Sequence, residues 1–202
     1  MKIICIARNY IDHAKELNNP VPKEPVVFLK PSTAILREES FYIPNFSQNM
    51  QYECELVIRI GKNGKFIEPE FAHRYINSMT VGIDFTARDV QTKLKEKGLP
   101  WEIAKAFDNS AVVGKWKDTN PTESFDNIRF HMTKNDATVQ SGNTSDMIFN
   151  IARQISFASQ YFTLNQGDLL FTGTPNGVGK VEKGDMLKGF LREEELFEIH
   201  IK

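Results

Sequence analysis

Residues 51–60, QYECELVIRI, have the clearest periodic pattern in the sequence. Apolar side chains occupy every second position, which is the period of a β-strand with one apolar face. Glu53 and Glu55 fall on the opposite face of this predicted strand, where their carboxyl groups come close together. Residues 61–64, GKNG, then predict a turn. This segment therefore predicts a strand that presents a pair of acids.

Short segments with the composition of strands surround this one. Strands are predicted at residues 2–7, 26–30, 79–85, 168–172 and in much of 185–202, with a turn at the acidic run 193–195. Helices are predicted at residues 9–18 with Asn9 as N-cap, from Thr86 to Lys97 with Asp89 at N3 and Gly98 at the end, and at 147–162 with Ser145 as N-cap. These elements predict an α+β fold that is mainly β. Because no linker divides the chain, we expect one domain over residues 1–202.

Composition excludes several classes of protein. Hydrophobic residues make up 41% of the 202 residues and charged residues 25%, which is typical of a globular domain and not of a disordered chain. The net charge of −1 gives no electrostatic reason to expect nucleic acid or an anionic membrane as a partner. No run of about 18 apolar residues predicts a membrane span, and the first residues lack the pattern of a secretory signal. Since Cys5 and Cys54 have apolar neighbours, we expect reduced thiols and a cytoplasmic protein.

A third acid has the same polar orientation as the first two. Asp84 lies on the polar face of the strand predicted at residues 79–85, where it would add an oxygen to those of Glu53 and Glu55. Hard divalent cations such as Mg²⁺ are bound by carboxylate oxygens. The pattern fits either a metal site or an exposed strand face with ordinary acids, and by itself it favours the exposed face.

Other spacings indicate proton transfer or the binding of an anion. His13 and Glu16 lie three residues apart on the predicted first helix, so they are neighbours on one face. A carboxylate in this position can orient the imidazole as a base for water, but an ordinary pair on a helix surface has the same spacing. Lys105 and Lys30 lie in apolar segments, where a cation needs a partner unless only its stem is buried. The sequence TGTP at residues 172–175 predicts either an anion-binding loop or a tight β-turn.

Taken in chain order, these segments resemble a known family. The matching segments are CIARNYIDHAKEL (5–17), EPVVFLKP (24–31), YECELVIRIG (52–61), GIDFTARDVQ (82–91), KGLPWEIAKAFD (97–108), GNTSDMIF (142–149) and GDLLFTGTPNGVG (167–179). They resemble the fumarylacetoacetate hydrolase family, and in particular its short acylpyruvate hydrolase and oxaloacetate decarboxylase members. The resemblance implies a mixed β-sandwich roll with a short N-terminal lid helix, a homodimer, and Mg²⁺ or Mn²⁺ bound by three carboxylates.

The resemblance also implies a role for each matching residue. Glu53, Glu55 and Asp84 fall on the metal ligands, while His13 and Glu16 fall on the water-activating dyad of the lid and Lys105 on a lysine near the reacting carbonyl. The positions implied to line the substrate site are Arg8, Lys30, Gln91 and Thr174. Two features depart from the family: Ala106 stands where serine is usual, and the segment after Asp185 matches poorly.

The implied activity is metal-dependent chemistry on a small 2-oxo acid. Hydrolysis of the C–C bond of an acylpyruvate (a 2,4-dioxo acid) and decarboxylation of oxaloacetate both pass through a metal-bound pyruvate enolate, so one site can serve both. An alternative within the family is an isomerase or decarboxylase of hydroxylated dienedioates in aromatic catabolism. A non-catalytic binding protein is a third hypothesis, which the water-activating dyad disfavours. Turnover of candidate substrates separates the three.

Overall fold

The computed structural model describes residues 1–16, 20–120 and 123–202, and strands make up most of its regular structure. The strands are β1 (Ile3–Ala7), β2 (Val26–Lys30), β3 (Ser40–Phe41), β4 (Met50–Tyr52), β5 (Cys54–Ile60), β6 (Ile76–Asp84), β7 (Thr86–Ala87), β8 (Ala111–Val113), β9 (Lys117–Asp118), β10 (Arg129–Lys134), β11 (Ala137–Asn143), β12 (Leu169–Phe171), β13 (Gly179–Lys180), β14 (Met186–Leu191) and β15 (Glu194–Ile201). The helices are α1 (Ile11–Glu16), α2 (Arg88–Glu96), α3 (Glu102–Lys105) and α4 (Ile151–Tyr161). The prediction of a mainly β fold is confirmed.

Two packed sheets form the body of the fold. The larger sheet has the order β2-β1-β12-β5-β6-β8, with β9 also paired to β6, and the second has the order β11-β10-β14-β15-β3. Leu56 and Val81 of the first sheet and Phe130 and Leu196 of the second belong to one buried cluster. Burial of each such side chain contributes about 1.5–3 kcal/mol. This shared core holds the sheets together as the expected sandwich.

The strand predicted at residues 51–60 is divided at Glu53 into β4 and β5. β4 pairs with β13 and β7 in a small third sheet, whereas β5 pairs with β12 and β6 in the large sheet. Both faces of β5 are buried, including Glu55 and Val57. The acids therefore face the protein interior, which rules out an exposed acidic strand face.

The predicted N-cap of α2, Thr86, is wrong because its hydroxyl bonds to a side chain that is distant in the sequence. Thr86 lies in β7, and its Oγ1 accepts a hydrogen bond from Lys105 Nζ at 2.6 Å. The helix begins at Arg88, and Ala87 makes no side-chain cap. The predicted end is confirmed, since Gly98 follows the helix with φ +64, a conformation that glycine adopts without a Cβ penalty.

The helix predicted at residues 147–162 is shorter than expected. Ser145 lies in a 3₁₀ segment, Thr144–Asp146, and caps no α-helix. The N-cap of α4 is Asn150, whose Oδ1 accepts a hydrogen bond from Arg153 N at 2.9 Å. Several residues of this segment offer a capping side chain, and tertiary packing decides which one is used.

The first helix, α1, is held by a residue that sequence analysis assigned as its cap. The side-chain amide of Asn9 instead donates to Thr172 O at 2.8 Å and accepts from Phe149 N at 2.8 Å. Asn9 therefore joins the chain just before α1 to two distant segments. The predicted end of this helix, at residue 18, lies outside the described residues. No helix among the described residues has both the length and the apolar content needed to cross a membrane.

Candidate active site

Adjacent strands of the large sheet bring three acids together. Glu53 lies at the break before β5, Glu55 lies on β5 and Asp84 ends β6, which pairs with β5 in antiparallel register. The backbone N–H of Asp84 also donates to Glu53 O at 2.8 Å. Potential ligand atoms of the three carboxylates lie within 4.8 Å of one another, and the side chains are buried. We call these three residues the acidic floor.

Buried cations neutralise two of these acids. Lys105 Nζ, on α3, lies 2.7 Å from Glu53 Oε2 and 2.7 Å from Asp84 Oδ2. The other oxygen of Asp84 lies 2.8 Å from Lys30 Nζ, and Arg88 pairs with the other oxygen of Glu53. Although burial opposes it, the charges of Lys105 and Arg88 hold the pKa of Glu53 below its usual range.

Glu55 has a different environment from the other two acids. Its Oε2 accepts a hydrogen bond from Gly173 N at 2.7 Å, and no ion pair with a cation is found for it among the described residues. Burial, with Asp84 and Glu53 close by, raises the pKa of Glu55 well above its usual value. A divalent cation bound by the three carboxylates would relieve this repulsion. The donor set is all oxygen and carries enough negative charge, so the acidic floor fits Mg²⁺ or Mn²⁺.

The pair His13 and Glu16 is formed as the spacing predicted. His13 Nδ1 lies 3.2 Å from Glu16 Oε2, and the other carboxylate oxygen, Oε1, accepts from Gly177 N at 3.0 Å. Because a carboxylate only accepts, Nδ1 carries the proton and Nε2 keeps its lone pair. Burial lowers the pKa of His13, which favours the neutral imidazole that a base requires.

A cavity over the acidic floor collects most of the other residues predicted for the site. Its lining includes Arg8, His13, Gln91, Lys105 and Thr174. Glu16 lies behind His13, which it orients. The resemblance implied site residues in six of the matching segments, and site residues from five of these segments line the cavity.

Lys30 does not line this cavity, in contrast to the substrate-contacting position that the resemblance implied. Its side chain is fully buried, and its Nζ forms an ion pair with Asp84 and donates to the carbonyl of Lys105 and to Ser110 Oγ at 2.9 Å. These partners use the ammonium group from behind the acidic floor. The geometry therefore gives Lys30 the task of positioning Asp84 and Lys105, not that of touching a substrate.

Two cations of the cavity, Arg88 and Lys95, were not among the residues predicted for the site. Arg88 donates to Gln91 Oε1 at 2.6 Å and to Gln51 Oε1 at 2.7 Å, in addition to its pair with Glu53. Arg88, Gln91 and Lys95 lie at positions i, i+3 and i+7 of α2, so they share one helix face. That spacing is a signal from which both cations can be predicted once Gln91 is placed in the site.

Comparisons with known proteins find relatives over almost the whole chain. The family model described as fumarylacetoacetate (FAA) hydrolase C-terminal matches residues 2–202. "Oxaloacetate tautomerase FAHD1, mitochondrial" of Bos taurus is 40% identical over 92% of this chain and 85% of its own length, and "Oxaloacetate decarboxylase, mitochondrial" of Dictyostelium discoideum is 38% identical over 93% and 87%. A solved structure of fumarylpyruvate hydrolase from Pseudomonas aeruginosa with Mn²⁺ and pyruvate matches with a TM-score of 0.93 and 33% identity, covering 100% of this chain and 89% of that one.

Proposed function

The chain belongs to the fumarylacetoacetate hydrolase family, and from this we propose that it is a Mg²⁺- or Mn²⁺-dependent enzyme that breaks the C3–C4 bond of small 2-oxo acids. The reactions are hydrolysis of acylpyruvates, decarboxylation of oxaloacetate, or both. The observation that supports this best is a buried set of three carboxylates beneath a cavity that His13 and Lys105 also line. The relatives named for oxaloacetate and fumarylpyruvate act on such 2-oxo acids.

The acidic floor would hold the metal ion. When bound there, the ion supplies Lewis-acid stabilisation of the negative charge that develops on the 2-oxo group as the bond to C3 breaks. Glu55 contributes a carboxylate that lacks a cation among the described residues, while Glu53 and Asp84 are held in place by Lys105. The protein therefore fixes the ligand oxygens in advance.

His13 is proposed as the base of the hydrolytic reaction. Its Nε2 takes a proton from a water molecule, which then attacks the distal carbonyl of an acylpyruvate. Glu16 fixes the tautomer through Nδ1, and Gly177 fixes the rotamer of Glu16 through its N–H. Decarboxylation of oxaloacetate yields the same enolate without water, so it does not need this base.

Lys105 is proposed as an acid or an electrostatic stabiliser. Burial opposes its charge, but the carboxylates of Asp84 and Glu53 outweigh burial and raise the pKa of its ammonium group. Lys105 is therefore protonated at neutral pH. It donates a hydrogen bond or a proton to oxygen and does not act as a base.

The ultraviolet absorbance of acetylpyruvate's enol form tests this proposal. We expect the absorbance to fall with time when Mg²⁺ or Mn²⁺ is present and to remain constant with a chelator. A parallel assay follows pyruvate formation from oxaloacetate. Absence of metal-dependent turnover of both compounds would contradict the proposal and would favour the dienedioate isomerase alternative.

We also propose that the protein is a homodimer. A groove of about 850 Å³ is lined by Phe46, Val90, Ile103 and Phe107, and Ile103 is 65% exposed. Apolar surface of this kind is typical of an interface. Sedimentation velocity of the wild type and Ile103→Glu tests the proposal: a dimer that becomes a monomer supports it, and a wild-type monomer contradicts it. Two further expectations stay predictions: that residues 1–202 form a single catalytic domain, and that the protein is cytoplasmic. The word "mitochondrial" appears in the names of the eukaryotic relatives and describes those proteins.

A further inference from the structure

The cavity has carboxylates at its floor and further cations toward its opening. The three carboxylates at the floor are buried, whereas Arg8 and Trp101 are half-buried and Lys95 is exposed. All of them line the same cavity. A substrate whose pyruvoyl end lies over the acidic floor therefore directs its other end toward cations.

Arg8 has an unusual backbone for an arginine. Its φ of +58 is in the left-handed region, which a residue with a Cβ rarely adopts. Such strain concentrates at functional sites, where the surrounding structure enforces it. Here the enforcing contacts are those of the next residue, Asn9, with Phe149 and Thr172. Arg8 lines the cavity from this strained backbone position.

The guanidinium of Arg8 rests against an aromatic ring, with its Cζ 5.9 Å from the centre of the Trp101 ring. Phe28 packs against the same indole, with ring centres 6.1 Å apart. Among the residues that the structure describes, Arg8 forms no ion pair with a carboxylate. An aromatic face keeps a cation in place without neutralising it. Arg8 is thus positioned for an anion that the described chain does not supply.

Lys95 adds a second cation to the same region. It lies on the helix face of α2 that also presents Arg88 and Gln91 to the cavity. Burial, together with the charges of Arg8 and Arg88, lowers the pKa of Lys95. Cations that repel one another across a cavity bind an anion more favourably than any one of them does alone.

We propose that Arg8 and Lys95 bind a carboxylate at the far end of the substrate, so that the enzyme prefers acylpyruvates whose acyl group ends in a carboxylate to those with a neutral acyl group. This inference rests on the proposed function. It makes Lys95 a residue that determines specificity and does not touch the bond that breaks.

Two substrates that undergo the same cleavage test the inference. Fumarylpyruvate has a distal carboxylate and acetylpyruvate has none, so the ratio of their kcat/KM values isolates recognition of the tail. We expect Lys95→Met to lower kcat/KM for fumarylpyruvate about tenfold or more relative to acetylpyruvate, because a charge-assisted hydrogen bond is lost. Lys95→Arg should restore most of the ratio. Lys93→Met, which removes an exposed lysine of α2 outside the cavity, is the matched control.

A binding experiment separates this inference from the proposed function. Calorimetry compares 2-oxoglutarate with 2-oxopentanoate, two five-carbon acids that differ in the distal carboxylate and lack the 4-oxo group needed for cleavage. We expect tighter binding of 2-oxoglutarate by the wild type and a smaller difference in Lys95→Met. An equal loss for both substrates or both ligands would overturn the inference, and so would no loss. Absence of turnover with a persisting difference in binding would overturn the proposed function alone.

Discussion

The acidic floor and α1 are built in opposite ways. The floor residues are buried on strands of the large sheet, and each is held by backbone or side-chain partners. α1 has six residues, its Asp12 and Lys15 are exposed, and Glu16 attaches it to the opposite wall through one hydrogen bond to Gly177. A helix this short is not stable without tertiary contacts. Strands of the large sheet therefore position the acidic floor, whereas the proposed water-activating pair lies on a six-residue helix that depends on such tertiary contacts.

The turn that receives Glu16 is as constrained as the floor. Gly177 has φ +94, and a Cβ at this position would lie 2.3 Å from Val139 O. Only glycine fits, so the N–H that holds Glu16 has a fixed position. The backbone of the turn thus fixes the position of the hydrogen-bond partner of Glu16.

Asp84→Asn should have the largest effect on this comparison, because it removes a ligand and also the partner of two buried lysines. We expect catalysis and metal affinity to fall by about 10³-fold or more. Breaking a buried ion pair by removing one partner should lower the free energy of unfolding by about 3–5 kcal/mol. Metal titration and denaturant unfolding measure both, with exposed Asp118→Asn as the control. A fully stable variant would contradict the proposed pairing with Lys30 and Lys105.

Glu16→Gln tests α1 with a smaller change. The amide can still accept from Gly177, but its NH₂ group then faces His13 Nδ1 and favours the wrong tautomer. We expect acylpyruvate hydrolysis to fall about 100-fold with stability nearly unchanged. Because Glu16 raises the pKa of His13, the acid limb of the kcat/KM profile should move to lower pH. An unchanged profile would remove Glu16 from the dyad.

Glu55→Gln should change stability less than Asp84→Asn does, and in the opposite direction. The pKa of Glu55 is raised, so the folded state binds a proton more readily than the unfolded state and stability falls as pH rises above the ordinary value of about 4.5. We expect the metal-free variant to be more stable than the wild type by about 1–2 kcal/mol near pH 7, with a flatter pH dependence. Thermal unfolding with a chelator between pH 5 and 8 measures this. Destabilisation would show that Glu55 is already compensated without metal.

The sequence predicted the elements better than it predicted their contacts. Period-two alternation located β5 and β6 because this signal is local, whereas the metal site was predicted from the resemblance and not from the spacing of Glu53, Glu55 and Asp84. The caps at Thr86 and Ser145 were wrong because packing across the fold decides which hydroxyl bonds to which partner.

Two features of the site depended on tertiary structure. The position of Lys30 behind Asp84 follows from the packing of β2 against α3 and Ser110, which no spacing encodes. Gln140, on β11 of the second sheet, donates from its Nε2 to Thr174 Oγ1 at 2.9 Å. Nothing in the sequence around Gln140 indicates this contact. Arg88 and Lys95 were different, since helical spacing from Gln91 identifies them.

The most direct test of the central claim compares two reactions in one variant, His13→Ala. The account predicts that acylpyruvate hydrolysis falls by about 10²–10⁴-fold, as expected for loss of a general base, while oxaloacetate decarboxylation with Mg²⁺ stays within about threefold of the wild type. That result would separate the water-activating α1 from the charge-stabilising acidic floor. Equal losses in both reactions, or hydrolysis that persists in His13→Ala, would contradict it.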